Sequence, residues 1–338
     1  MLDTNNFDLS SLKKILIIQF EPWGDVLITA GYLEAIKKRF PQCNLDFLVS
    51  QPYNKILFKN PYINEIVILP KAKHILDIIN RIKMFVNIGR RKYDLIIDQQ
   101  NANLSVQTIL FSGAKYKLGW RNGKGKLLYN IFADRGKVRY SAAERYDILK
   151  PLGIEPQPVK LFYHIKPESK KYVNNWFKKM NFSKPVICFS PGSPSKEKIW
   201  KQEYYAKLAD KIAATKKYEI VFLWAPSELE DVKYVMKKMQ YKAILAPATD
   251  FNQCAAFIKK IDLLICNDGG LNHLSVATQT PSLAFFGRTS ALEWSPEGFV
   301  PNHFHLANPN YKYNGDQSFG ISPTDAFKKF CEIMNYEQ

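Results

Sequence analysis

The chain has no apolar run approaching the ~18 residues that a bilayer span needs, and residues 1–12 are too polar for a signal peptide. A soluble protein is therefore expected. Cysteine is scarce: the five (43, 188, 254, 266 and 331) are odd in number, widely spaced and form no C-x-x-C pair. That argues against a disulfide framework or a zinc site, and for a reducing compartment. D-x-D is missing, and no His, Asp or Glu cluster has metal-ligand spacing. A bound diphosphate would then be neutralised by lysine, hydroxyls and helix N-termini instead of a divalent ion, so no metal and no other cofactor is expected. Acidic residues are also short, with 31 Asp+Glu against 48 Lys+Arg and a net charge of +17. Up to residue 165 there are 25 Lys+Arg against 14 Asp+Glu, a net of +11; the remainder carries 23 against 17, a net of +6. Such an excess suits an anionic partner, whether nucleic acid, acidic lipid or a phosphorylated glycan, although solvated lysines need no partner.

With 338 residues, 46% hydrophobic and 23% charged, the chain is globular and long enough for two domains. Strand-like apolar runs at 14–20, 45–49, 63–69 and 93–98 alternate with helical periodicity, which predicts a parallel sheet with helices on both faces. One helix is expected over 26–39 and another over 140–153. Gly153–Pro167, rich in proline, is the best boundary. The pattern then restarts, with strands at 185–189, 219–224, 243–245, 261–265 and 282–286. The expected organisation is a tail over 1–12, doubly wound domains over 13–165 and 166–322, and a last helix over 323–338 that can fold back onto the first domain. The two Rossmann-like domains are expected to face each other across a cleft.

Ligands bind at the carboxyl ends of such strands, so the turns there supply the candidates. Asp25 follows the first strand at the start of a helix, where it can be a helix cap or a general base within reach of an acceptor hydroxyl. Ser193 and Lys198 follow Gly192 and can bind phosphate oxygens. Glu228 can accept from ribose hydroxyls or serve as a first-turn helix acid. The stretch Cys266–Gly287 reads as strand end, glycine turn, helix and strand, which places amides and a positive dipole end at Asp268, Gly269, Gly270 and Leu271. His273 lies one turn further on, where a lone histidine is more often packed than catalytic. Two basic stretches stand apart. Lys71–Lys92 carries Ile75, Ile78, Ile79, Ile82, Phe85 and Val86 on one face, to lie at a membrane surface or to pack on the sheet. The second, Lys115–Arg139, interleaves eight basic residues with Tyr116, Trp120 and Tyr129, a composition suited to single-stranded nucleic acid or to a sugar-phosphate acceptor. Lys115, Lys117 and Arg121 in it, with Trp23 and Gly24 beside Asp25, are the acceptor-side candidates.

The segments ILIIQFEPWGDVLITAGYLEAIKKRFP, YDLIIDQQ, SPGSPSKEKIW and CNDGGLNHLSVATQTPSLAFFGRTSALEWSP give the chain its resemblance to the glycosyltransferase family 9 heptosyltransferases over roughly residues 13–335. GDVL after the first strand, and D-G-G-x-x-H-L followed by F-G-x-T and W-x-P, are the specific motifs. The resemblance implies a GT-B arrangement and metal-independent, inverting transfer of heptose from ADP-heptose to a lipopolysaccharide inner-core acceptor. It assigns the base to Asp25, donor phosphates to Lys198 with Ser193 beside it, the donor loop to Asp268, Gly269, Gly270, Leu271 and His273, and ribose to Glu228. An enzyme acting peripherally at the cytoplasmic face of the inner membrane, on an anionic lipid-linked glycan, is expected. Its rivals are a transferase using another nucleotide sugar and a basic nucleic-acid-binding protein. Three departures from the family pattern stand out: Gly269 where Ser or Thr is usual, Arg288 where proline is common, and Gln99-Gln100-Asn101 after Asp98.

Overall fold

The computed structural model describes residues 12–70 and 75–335. The expected tail, apart from Leu12, lies outside the described residues, as do 71–74 and the Ile75 side chain of the first basic stretch. The chain divides into two compact units, residues 1–164 and 165–338.

The first unit runs β1 (Lys14–Ile18), α1 (Trp23–Ala30), α2 (Leu33–Arg39), β2 (Asn44–Ser50), β3 (Glu65–Leu69), α3 (Ile75–Arg90), β4 (Leu95–Asp98), α4 (Asn103–Phe111), β5 (Tyr116–Trp120), β6 (Ile131–Ala133) and α5 (Ser141–Glu144). Its six strands are all parallel, in the order β3-β2-β1-β4-β5-β6. Val, Ile and Leu fill the central strands because helices cover both faces: Ile15, Leu16, Ile17, Ile18, Ile96 and Ile97 are all fully buried. The strand order reverses between β1 and β4, so the loops after these two strands border the crevice such sheets use for ligands.

Three local expectations change. The helix over 26–39 is two helices, broken where Gly31 donates to Ile28 and residues 160–161 come so close that a Cβ on Gly31 would lie 2.9 Å from Leu161. The helix over 140–153 survives only as α5, continuing as a 3-10 segment through Leu152 with Pro151, which has no N–H to give, inside it. The second basic stretch contains two strands, β5 and β6. Tyr129 packs flat on Gly119, where a Cβ would sit 2.6 Å from its ring.

The second unit runs α6 (Pro167–Met180), β7 (Val186–Ser190), α7 (Gln202–Ala214), β8 (Glu219–Phe222), α8 (Leu229–Lys238), β9 (Ile244–Leu245), α9 (Phe251–Ile258), β10 (Leu263–Asn267), α10 (Gly270–Thr278), β11 (Ser282–Phe286), α11 (Ala291–Trp294), β12 (His303–Ala307) and α12 (Pro323–Ile333). Its sheet is again six parallel strands, ordered β12-β11-β10-β7-β8-β9, which is the same winding with its switch point between β7 and β10. The core joins Phe189, Trp200, Tyr205, Phe222, Ile265 and Phe285. Trp200 stacks on Phe285 with ring centroids 4.2 Å apart. The last helix does not need the first unit to bury its apolar side. Ala326, Phe330 and Cys331 of α12 belong to the second core, and Phe330 meets the Tyr218 ring edge-on at 5.2 Å. Capping by Ser322, whose Oγ accepts from the Asp325 amide, starts this helix inside that unit.

Candidate active site

In the first unit, the turn after β1 carries Asp25 into the first turn of α1. The helix cap is Pro22, which has no side-chain oxygen, so Asp25 is not the cap that its position suggested. Its carboxylate instead accepts from the Arg145 guanidinium, and both side chains are largely sheltered, at 19% and 11% exposed. Arg145 also donates to Gln19 Oε1 at 2.8 Å and to Thr29 Oγ1. Gln19 is gripped in turn, its Nε2 donating to Gln100 Oε1 at 2.7 Å, and the same oxygen takes the Phe20 amide at 2.7 Å. Gln100, Gln19, Arg145 and Asp25 thus form one chain of bonds across the switch point. The unusual Gln99-Gln100-Asn101 stretch is what anchors it. A charge-assisted guanidinium bond fixes the orientation of the carboxylate it holds.

The other first-unit candidates do not converge. Trp23 and Gly24 sit next to Asp25 in α1. Arg121 follows β5 at the carboxyl edge, held by a bidentate pair with Asp134. Lys115 lies at the opposite, amino edge of the sheet, over the Tyr116 ring at 4.9 Å, and Lys117 lies within β5. A parallel sheet puts those two lysines and Asp25 at different levels along the strands.

The second unit gathers its candidates more tightly. Lys198 Nζ lies 2.7 Å from Asp268 Oδ2, which also accepts from Thr289 Oγ1 at 2.6 Å. Asp268 is nearly fully buried, whereas Lys198 keeps about a third of its side chain in solvent. Immediately after Asp268 comes the N-terminus of α10, a nine-residue helix whose first residues are Gly270, Leu271 and Asn272. The loop is pinned by Asn267, whose Nδ2 donates to the Pro191 and Gly192 carbonyls. Its Oδ1 accepts from the Trp200 amide at 2.8 Å and the Tyr205 hydroxyl at 2.9 Å. The turns after β7 and β10 are therefore one unit. Ser193 stands in the first of them, its Oγ accepting from the Ser195 amide. Glu228, after β8, leans on Gly192 so closely that a Cβ there would lie 2.3 Å from its carboxyl carbon. Burial pushes the Glu228 carboxyl above its ordinary value. His273 is buried, with its ring 6.1 Å from that of Trp294.

Cation, hydroxyls and helix N-terminus at a single switch point make an anion site of the kind that takes a diphosphate. Among the described residues, no group of three His, Cys, Asp or Glu is placed to hold a metal ion. Sequence reasoning missed Arg145, Gln19, Asn267 and Thr289. Thr289 was visible as the threonine of F-G-x-T. Arg145 lies 120 residues from its partner and carries no local signal.

Two doubly wound parallel-sheet units, with a carboxylate–guanidinium pair at the switch point of one and a lysine, hydroxyls and a helix N-terminus at that of the other, place the chain in the two-Rossmann class. The pattern of glycosyltransferase family 9 (heptosyltransferase) matches residues 81–318, and the chain belongs to that family. It is a glycosyltransferase. Lipopolysaccharide heptosyltransferase 2 of Escherichia coli K12 is 25% identical over 296 residues, covering 82% of this chain and 83% of that protein. Among solved structures, a glycosyl transferase family 9 protein of Veillonella parvula superposes with a TM-score of 0.82 at 21% identity, covering 96% of this chain and 98% of that one. The E. coli heptosyltransferase WaaC with ADP-2-deoxy-2-fluoro heptose gives 0.69 at 19% identity, covering 94% and 99%.

Proposed function

We propose that the protein moves heptose from ADP-heptose onto a lipopolysaccharide inner-core acceptor, by a single inverting displacement that uses no metal. Lys198 supports this reading most directly: an ammonium held 2.7 Å from Asp268 at the N-terminus of α10, at the switch point of the second sheet. A family relative named as a heptosyltransferase and a structural neighbour described with an ADP-heptose analogue point the same way.

In the proposed step the acceptor hydroxyl attacks the anomeric carbon while the bond from that carbon to the diphosphate oxygen lengthens, through an oxocarbenium-like state. Asp25 takes the hydroxyl proton as the new C–O bond forms, and the bonding pair leaves with ADP. Lys198 and the first amides of α10 stabilise the negative charge that gathers on the departing diphosphate. Ser193 adds a hydroxyl donor, Glu228 accepts from the ribose, and His273 walls the donor loop. Arg145 acts through Asp25 as a positioning residue. Gln19 and Gln100 hold that guanidinium in turn. The acceptor is an anionic lipid-linked glycan, so the enzyme works peripherally at the cytoplasmic face of the inner membrane, with Trp23, Gly24 and Arg121 on the acceptor side.

A donor panel tests the reading. ADP-heptose, UDP-sugars and GDP-sugars are supplied separately with a core acceptor, and nucleoside diphosphate release is followed together with acceptor mass. ADP release with a heptose added to the acceptor is expected. Turnover of a UDP- or GDP-sugar alone would overturn the donor assignment. Glycosyl transfer would still stand.

A further inference from the structure

The helix α3 divides its apolar residues between two faces. Met84, Phe85 and Ile88 pack into the first core. Ile78, Ile79, Ile82 and Val86, which helical spacing puts on one stripe, face solvent and are 44–55% exposed. The stripe continues onto α4. Gly89 lies within it, and its missing side chain lets the end of α4 approach: a Cβ there would sit 2.7 Å from the Phe111 carbonyl. Phe85 stacks on Phe111 with centroids 5.5 Å apart, while Phe111 and Leu110 stay more than half exposed. Six large apolar side chains from two adjoining helices therefore form one outward patch. Scattered exposed apolar residues need no explanation, but a contiguous patch does.

Charge says what covers it. From the start of α3 to the end of β6, residues 75–133, the sequence has ten Lys+Arg and three acidic residues, Asp77, Asp94 and Asp98. Asp98 is buried beneath Tyr129, Asp94 accepts from the amides of Lys13 and Lys14 at the amino edge of the sheet, and Asp77 lies in the first turn of α3, where its charge suits the positive end of the helix dipole. Lys83 and Arg90 lie exposed along the flank of the stripe. Exposed Lys124 and Lys126 precede Leu127, which is 93% exposed, and Gly125 between the two lysines packs on Val106 of α4. An apolar stripe rimmed by one sign of charge is what a helix needs to lie in the headgroup layer of an anionic bilayer. A protein partner would have to supply both an apolar face and an acidic rim. A second copy of this chain would bring like charge against like.

We propose that the outer face of α3 and the end of α4 form a docking surface for anionic lipid, with the stripe seated at the boundary between headgroups and acyl chains and Lys83, Arg90, Lys124 and Lys126 on the headgroups. The assignment rests on the peripheral reading given above and names the surface that serves it.

The test is sedimentation of the full chain with vesicles of phosphatidylglycerol and phosphatidylcholine in equal parts, against phosphatidylcholine alone. Wild type should pellet with the anionic vesicles only. I82E with V86E should lose binding by more than tenfold, and because both side chains already face water the variant should keep its circular dichroism spectrum. K83Q with R90Q should weaken binding about fivefold per charge removed and flatten its dependence on salt. Transfer to a water-soluble, lipid-free acceptor fragment should stay at the wild-type rate in both. Wild type that ignores anionic vesicles overturns the proposal and the peripheral reading together. Binding that survives I82E/V86E overturns the proposal alone. A wild-type dimer that I82E/V86E dissolves, without vesicle binding, would assign the patch to a second copy and also overturn it. Lipid binding in a protein that fails to turn over ADP-heptose would support the surface and sink only the donor.

Discussion

Asp25 and Asp268 lie past strands that flank the switch points of two identically wound sheets, the first after the opening strand of its sheet and the second after the fourth. Both accept from a cation, but the cations differ in kind. Arg145 is a planar fork whose bonds go to Asp25, Gln19 and Thr29 at once, so it has one orientation and cannot turn toward a ligand without breaking them. Lys198 is a point charge with three rotatable donors, one of them on Asp268, and part of its side chain is open to solvent. The difference teaches a division of labour. The arginine pair locks a carboxylate in place, as the proposed base requires, whereas the lysine pair leaves a cation that the proposed diphosphate could share.

The sharpest way to break this comparison is Asp25→Asn. The substitution keeps size and shape and removes the proton acceptor, so turnover should fall by about 10²–10⁴. Donor affinity, measured by titration with ADP, should not move. A wild-type rate would reduce Asp25 to a structural partner of Arg145 and leave the two pairs without distinct roles. Lys198→Met should come next. With the ammonium gone, charge building on the leaving diphosphate loses its fixed counterpart, and kcat/KM should drop about 10²–10³, this time with weaker ADP binding. The two variants therefore separate in the titration as well as in rate. If Lys198→Met binds ADP as wild type does, the cation is not on the diphosphate.

Arg145→Lys should have a middling effect and tests the lock itself. A lysine can keep the charge beside Asp25 but not the fork that also holds Gln19 and Thr29, so Asp25 is free to turn. About tenfold should be lost from kcat, less than the roughly hundredfold that a full 1 Å misplacement can cost, while the donor KM stays unchanged. A pure loss of thermal stability with normal kcat would show that the guanidinium only braces the fold.

How much of this was legible beforehand follows from the range of the interactions. The segment from Leu263 to Phe286 reads as strand, turn, helix and strand because each piece is dictated by near neighbours: a buried apolar run, a helix with its own periodicity, a Pro281 stop. Lys198 and Asp268 were both singled out, though not as partners, since 70 residues separate them. Arg145 was invisible for the same reason. Its helix was expected, but nothing in S-A-A-E-R-Y-D says that one side chain crosses to the first strand. Strands β5 and β6 were hidden because lysines and glycines interrupt the apolar alternation, and only Tyr129 lying on Gly119 explains why a glycine suits the middle of β5. For α3 the sequence left two readings open, a membrane-facing stripe or a face packed on the sheet. A helix with apolar residues over two-thirds of its circumference looks the same in sequence whether one face or both are covered.

Gly269→Ser carries the smallest expected effect and asks what the departure from the family pattern means. Gly269 is the residue before α10, its φ of 166° and ψ of −169° are extended backbone, and a Cβ added there meets nothing within 4 Å. Glycine is thus not required by the fold, and a serine should enter without strain. Two uses of the new hydroxyl then compete. As a cap it would accept from an early amide of α10 and raise stability by a few tenths of a kcal/mol over glycine, leaving the donor KM alone. As a phosphate ligand it would lower the donor KM about fivefold, the worth of one modest hydrogen bond, and leave the melting temperature alone. The extended backbone at 269 and its place just before the first helical residue favour the cap, so a small rise in melting temperature with an unchanged KM is expected. A lower KM would instead place the diphosphate within reach of residue 269. In that case the second site would recognise its donor through hydroxyls as well as through Lys198, and the contrast with the rigid first site would widen.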